Sequence, residues 1–241
     1  MRKLLLMGML ACTLFLSGCS LVDEYFLPPA DDTVQEMFEA GNDAMREKNY
    51  PQAIVYYTRI KDEFPFSPYV IEAELALADA HYLDGEYLLA ADAYRDFETL
   101  HPRHEAIPYV LYQIGMSLKN SYTSIDHSAT PVSEALEYFT RLQQEYPDTE
   151  YGKDAAVQIA ACRKTLAQRE LFIANVFWGM ENYQAAWTRY QYVVRNYPDV
   201  TEEAEYARVK GEAAFLKYRK EDAQNMRELQ QGSWKDWFRW L

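Results

Sequence analysis

Cysteine, histidine and glycine are scarce in this chain, and each scarcity closes off a class of protein. Its three cysteines, Cys12, Cys19 and Cys162, cannot build the disulfide framework of a small secreted domain. Four histidines, with no HExxH or CxxC spacing, give no legible metal site. His101 and His104 stand close together, but around a proline and with no thiol nearby, while His81 falls at a helix-packing position. Nucleophile-elbow, P-loop and GxGxxG patterns are missing too. The chain therefore reads as a non-enzyme with no metal or small-molecule cofactor. Nine glycines and no alternating apolar pattern leave little room for a β fold. Basic residues are short as well, with 24 Lys and Arg against 37 Asp and Glu and a net charge of −13. That balance excludes nucleic acid as a partner, because neutralising phosphates takes clustered cations. It also excludes attachment to anionic lipid through a basic patch.

Aromatic residues are plentiful, at 15% with 20 Tyr. Phe38–Pro65 laid under Leu75–Pro102 without a gap sets Gly41 on Ala78, Tyr50 on Tyr87 and Ala53 on Ala90. Tyr57 then falls on Tyr94, Ile60 on Phe97 and Pro65 on Pro102. A third copy carries Ala135, Phe139, Leu142 and Pro147, and a fourth Ala174, Tyr183, Ala186, Tyr190, Val193 and Pro198. A fifth keeps Gly211 and Ala223 but has Arg227 and Gln230 where apolar residues belong. The pattern resembles the tetratricopeptide repeat, a helix–turn–helix unit of about 34 residues. Small residues let the paired helices approach, the aromatic four positions on fills the next groove, and proline ends the second helix. Each hairpin leaves an apolar face uncovered, so neighbours must stack. The expected fold is all-α, a tetratricopeptide-repeat solenoid of about five helical hairpins.

The repeats fall near residues 34–67, 71–104, 108–149, 167–200 and 204–231, with a polar insertion at Asn120–Pro131 in the third. Thr149–Glu170 is periodic and free of proline, a helix placed to run straight into repeat four. In tetratricopeptide repeats the first helix of each hairpin lines a groove. Here that position holds Phe38, Tyr82, Tyr109, Tyr112 and Trp178, interleaved with Asn42, Asp79 and Asn175. Rings beside amides and carboxylates suit an extended peptide, although some of these rings will belong to the core.

The first 18 residues read as an export signal, with Arg2 and Lys3 ahead of the apolar run Leu4–Leu16. That run is thirteen residues long, well short of the ~20 that span a bilayer. Leu16-Ser17-Gly18-Cys19 resembles the bacterial lipobox, which implies N-acyl and S-diacylglycerol groups on Cys19 as the only covalent additions. More than one acyl chain gives stable anchoring. Ser20, where an Asp would imply inner-membrane retention, points to the periplasmic face of the outer membrane. Residues 19–32 read as a tether. The final segment 232–241 sets Trp234, Trp237, Phe238 and Leu241 on one helical stripe. A closing helix, an interfacial foot and a docking segment all remain open for it.

A lipobox ahead of these repeats, with Phe64-Pro65-Phe66-Ser67-Pro68-Tyr69, Leu100-His101-Pro102 and Tyr146-Pro147-Asp148-Thr149, resembles the BamD (YfiO/ComL) family. These are repeat lipoproteins of the outer-membrane β-barrel assembly machinery. The resemblance implies a non-enzymatic scaffold with two working ends. Repeats one to three (33–149) would receive a signal segment of unfolded β-barrel proteins, at Phe64, Phe66, Pro68 and Tyr69. Repeats four and five (150–231) would dock the periplasmic domains of the barrel-shaped core subunit, with Arg189 in that contact. Other assembly lipoproteins could join. The insertion is shorter than in some relatives, and the tryptophan-rich end is not a family hallmark. An alternative is another envelope repeat lipoprotein, a secretin pilotin or a peptidoglycan-associated factor.

Overall fold

The computed structural model describes residues 33–231, the side chain of Gln231 excepted. The leader, the Cys19 anchor, the tether and the segment 232–241 lie outside the described residues. Among the described residues every regular element is an α-helix. In chain order they are α1 Val34–Arg46, α2 Tyr50–Glu63, α3 Val70–Leu83, α4 Tyr87–Leu100 and α5 Ile107–Ser121. There follow α6 Thr130–Glu145, α7 Glu150–Gly179, α8 Tyr183–Asn196 and α9 Thr201–Gln231. The all-α class and the hairpin repeat expected from the sequence are what the structure has.

Local chemistry fixes the helix ends. Pro65, Pro102, Pro147 and Pro198 each lie two residues beyond a helix end. Proline disfavours helical backbone in the residue before it. Phe64, Tyr146 and Tyr197 accordingly share one non-helical conformation, with φ/ψ of −130/52, −132/49 and −128/47. At the opposite turns, Lys48, Gly85 and Glu181 occupy equivalent places with φ of 60, 82 and 59. The left-handed turn is therefore kept even where no glycine is supplied.

The packing divides the chain between Phe97 and Glu98, within α4. In the first unit α1 packs on α2 and α2 on α3, around Met37, Ala53, Tyr57, Ile60, Ala73 and Leu77. In the second, successive helices from α5 to α9 pack in pairs. One of its cores gathers Leu171, Ala174, Ala186, Tyr190, Val193 and Ala207.

The repeat register has a chemical basis. Tyr57 donates its hydroxyl to Asn42 Oδ1 at 2.8 Å, Tyr94 to Asp79 Oδ1, and Tyr190 to Asn175 Oδ1 at 2.6 Å. Each ring is fully buried, so its hydroxyl needs an internal acceptor. Burial pushes the Tyr57 and Tyr190 phenols up to about 12, keeping both as neutral donors. Repeat three has Phe139 and Met116 at the corresponding places and forgoes both partners. A Cβ on Gly41 would lie 2.6 Å from the Tyr57 ring, and one on Gly115 would lie 2.6 Å from Phe139. In these two hairpins only glycine permits the ring to sit against the backbone.

Two expectations need correction. The fifth repeat is no hairpin: residues 201–231 form one unbroken helix. Lys217-Tyr218-Arg219 stand in the register of the Glu47–Asn49 turn, but no proline or glycine follows Gly211 there, and good helix formers fill the stretch. Only its first half is packed, through Ala207, Gly211 and Ala214, while residues 219–230 are exposed. Next, Asn42, Asp79 and Asn175 are not unspent groove amides and carboxylates, since each holds a repeat tyrosine. Glu203, in the first turn of α9, finds its partners on α7. It is 7% exposed and accepts from Gln168 Nε2 at 2.8 Å, with Lys164 Nζ at 3.7 Å.

The expected continuity of Thr149–Glu170 with repeat four appears as α7, capped by the Thr149 hydroxyl, which accepts from Gly152 N at 3.0 Å. Cys162 sits fully buried on that helix, where burial pushes its thiol up to about 11 and leaves it a packing residue.

Candidate functional site

The Phe64–Tyr69 turn joins α2 to α3 and leaves its apolar groups facing outward. With Val34 and Glu63 it lines an open pocket of about 510 Å³. Phe66, at 99% exposure, has almost no contact with the rest of the protein. A phenylalanine so exposed forfeits burial worth ~2 kcal/mol, so folding alone gives no reason for it. The turn is nevertheless fixed in place. Phe64 N–H donates to Ile60 O, Ser67 N–H to Phe64 O and Val70 N–H to Ser67 O, while the Ser67 hydroxyl accepts from Tyr69 N–H. Tyr69 packs on Phe38 with ring centroids 5.3 Å apart, and Phe38 packs in turn on Tyr57 at 6.1 Å. Five of the sequence-predicted residues, Phe38, Phe64, Phe66, Pro68 and Tyr69, thus come together on one rigid apolar site.

The remaining predicted rings are placed differently. Tyr82 sits at the end of α3, edge-on to Tyr87 at 5.5 Å, and does not line this pocket. Tyr109 and Tyr112 belong to the second unit and pack on Tyr151 of α7 at 5.5 and 5.4 Å. Tyr112 also meets Phe139 edge-on and donates its hydroxyl to Asp154 Oδ2 at 2.7 Å. Hydrogen bonds from Gln158 and then Tyr112 hold the Asp154 carboxyl below its ordinary range. These two rings act as mortar between α5, α6 and α7.

Val34 and Glu63 are pocket residues that sequence reading missed, and Val34 adds to the apolar wall. The signal for Val34 was present: Thr33-x-x-Glu36 is a capping box, with the Thr33 hydroxyl accepting from Glu36 N–H and Glu36 accepting from Thr33 N–H. The box fixes the start of α1 and so sets Val34 beside Phe64.

Arg189 lies on α8 and pairs with Glu170 of α7 at 3.0 Å, with 44% of its own side chain exposed. It lines a second pocket, of about 420 Å³, with Trp187, Tyr192 and Arg195 among its neighbours. The Trp187 ring is anchored against Phe215 and Tyr218 of α9. An arginine with a partly satisfied charge beside aromatic surface can exchange its internal carboxylate for one on a partner. His101 and His104 do not converge on a metal-like group. The described residues hold no cluster of three or more His, Cys, Asp or Glu able to bind an ion. No helix among them is long and apolar enough to cross a membrane. Cys19 lies outside the described residues.

Comparison with known proteins places this geometry in a lineage. The family described as YfiO, outer membrane lipoprotein, matches residues 30–229. The outer membrane protein assembly factor BamD of Neisseria meningitidis is 29% identical over 210 residues, covering 82% of this chain and 78% of that protein. BamD of Vibrio cholerae is 28% identical over 83% of this chain and 85% of its own length. BamD of Xylella fastidiosa is 27% identical over 94% and 81%. The match runs through every described helix, from the capping box at α1 to the exposed end of α9, and the chain belongs to the YfiO family of outer membrane lipoproteins.

Proposed function

We propose that this protein is an outer membrane protein assembly factor, a non-enzymatic scaffold that holds an unfolded β-barrel polypeptide while bound to the assembly machinery. Cys19 carries the acyl groups that anchor it to the periplasmic face of the outer membrane. The pocket around Phe64, Phe66, Pro68 and Tyr69, backed by Phe38, takes an apolar, extended segment of the client chain. Arg189 and the aromatic surface beside it meet the periplasmic domains of the barrel-shaped core subunit. The observation that carries this reading is the 99%-exposed Phe66 on a turn rigid enough to hold it there, in a chain of this family. A pre-organised apolar surface binds extended chain without the entropic cost of ordering itself.

Photo-crosslinking from positions 66 and 189 in whole cells tests the two ends separately. Position 66 should capture nascent barrel proteins and position 189 the core subunit. Capture of a secretin or of cell-wall fragments, or of the same partner from both positions, would overturn the assignment.

A further inference from the structure

The end of α7 and the middle of α9 carry a cluster that lines neither pocket. Trp178 meets Tyr183 edge-on at 5.4 Å, and two lysines of α9 flank its indole. Lys217 Nζ lies 4.8 Å from the Trp178 centroid and 4.5 Å from that of Tyr183, and donates to the Tyr183 hydroxyl at 3.0 Å. Lys210 Nζ lies 5.4 Å from Trp178 and 5.9 Å from Tyr206. Among the described residues neither lysine has a carboxylate within ion-pairing distance. This is unusual for a chain with 37 acids and 24 bases, in which the neighbouring Arg208 holds both Glu205 and Glu212.

Ring faces orient an ammonium without neutralising it, and an ammonium carries three donors, of which Lys217 spends one on Tyr183. The described surroundings therefore offer donors and ring surface. We propose that Lys210, Lys217 and Trp178 form a docking site for an acidic segment of a partner polypeptide, its Asp or Glu side chains bridging the two ammonium groups. The lysines are seven residues apart on one helix face, about 10 Å along the axis. A single chain-terminal carboxylate would engage only one of them, whereas a segment with several acids engages both. Extended polyanions fit poorly, because the net charge of −13 repels them as a whole. A short acidic segment feels mainly the two cations within a Debye length of about 8 Å. This inference is independent of the assembly-factor reading, since none of these residues lines either pocket.

The test uses the mature chain and a fluorescent Glu-rich peptide with an amidated end, followed by anisotropy. A Gln-for-Glu peptide with a free carboxylate and vesicles of phosphatidylglycerol serve as the other arms. The Glu peptide should bind, weaken with added salt, and lose roughly tenfold or more in affinity with Lys210→Gln/Lys217→Gln. Lys217→Arg should retain binding, and the Trp178 indole N–H resonance should shift on titration of the unmodified protein. Equal binding by the double glutamine variant, an unmoved Trp178 resonance, or preference for the Gln peptide or the vesicles would each overturn the proposal.

Discussion

Two turns of the same design end differently in the two packing units. Phe64-Pro65-Phe66 follows α2, and Tyr197-Pro198-Asp199 follows α8, with nearly identical backbone at Phe64 and Tyr197. In the second turn the side chain after the proline is held. Arg163 of α7 donates Nε to Asp199 Oδ2 at 2.6 Å, donates Nη2 to Asp199 Oδ1 and to Asn196 O, and lies over the Tyr197 ring. In the first, the corresponding residue is Phe66, held by nothing. One frame thus serves as a closed joint in one place and an open mouth in the other. The difference rests on the side chain after the proline and on whether the other helix of the hairpin supplies a cation. The second turn ties down the side chain after its proline, and the first leaves that side chain without contacts.

The largest effect is expected at the turn after α6, which shares this backbone at Tyr146. A Cβ on Gly152 would lie 2.0 Å from the carbonyl oxygen of Tyr146, a backbone atom that cannot rotate aside. Gly152→Ala should destabilise the protein by about 3 kcal/mol, the upper end of overpacking penalties. That corresponds to a melting temperature lower by roughly 6 °C or more, read by thermal unfolding. An unchanged melting curve would mean that this joint is looser than its geometry.

The Arg163 clip comes next. Its carboxylate is half exposed, so Arg163→Ala should cost about 1 kcal/mol, well below the figure for a buried pair. The clip also has a pH signature. The Arg163 hydrogen bonds hold the Asp199 carboxyl below its ordinary 3.8. A folded-state value depressed in this way adds stability above the unfolded value, and that stability is lost as pH falls through the folded one. Chemical unfolding of the unmodified protein should therefore weaken below about pH 4, and Arg163→Ala should flatten that slope.

Much of this was legible in sequence because the repeat is written in residues whose chemistry is local. Gly41 against Tyr57, the terminal prolines and the helix through Thr149–Glu170 follow from spacing alone. The fifth unit misled because Gly211 and Ala223 keep the small-residue rhythm, whereas a hairpin also needs a break, and none is present. Asn42, Asp79 and Asn175 were misread because a groove amide and a tyrosine acceptor look alike until the ring fifteen residues on is placed. The Arg163–Asp199 clip joins residues 36 apart, a pairing that no local pattern announces. Of the candidate site, the Phe64–Tyr69 cluster was readable, and the fate of Tyr109 and Tyr112 was not, because packing on Tyr151 is a tertiary fact.

Repeat three supplies the design of a finer test, with Phe139 and Met116 doing without the bond that Tyr57 makes to Asn42. Tyr57→Phe strands a partly buried acceptor and should cost about 1 kcal/mol. Adding Asn42→Met copies repeat three and should return most of it, since replacing both partners by apolar groups is nearly neutral. Equilibrium unfolding of the two variants measures the coupling. Additive losses would show that the hydroxyl matters for something other than its partner.

The smallest stability effect belongs to the open turn, and there the comparison is most exposed. Phe66→Ala removes a ring that touches almost nothing, so unfolding should move by no more than about 0.5 kcal/mol. Capture of client segments should nonetheless fall severalfold, because an exposed aromatic on a pre-ordered turn supplies contact area at low entropic cost. The two readouts exclude each other's explanations. A loss of capture with unchanged stability ties the ring to binding, and a loss of both returns Phe66 to the class of joints. Phe66→Asp carries the argument one step further, by giving this turn the residue that Asp199 supplies in the other. The turn after α2 has no counterpart to Arg163 among its hydrogen bonds, so Phe66→Asp should stay open, keep its fold and lose its client. If Phe66→Asp instead gained stability, the charge alone would be enough to close a joint, and a cation such as Arg163 would not be what separates the two turns.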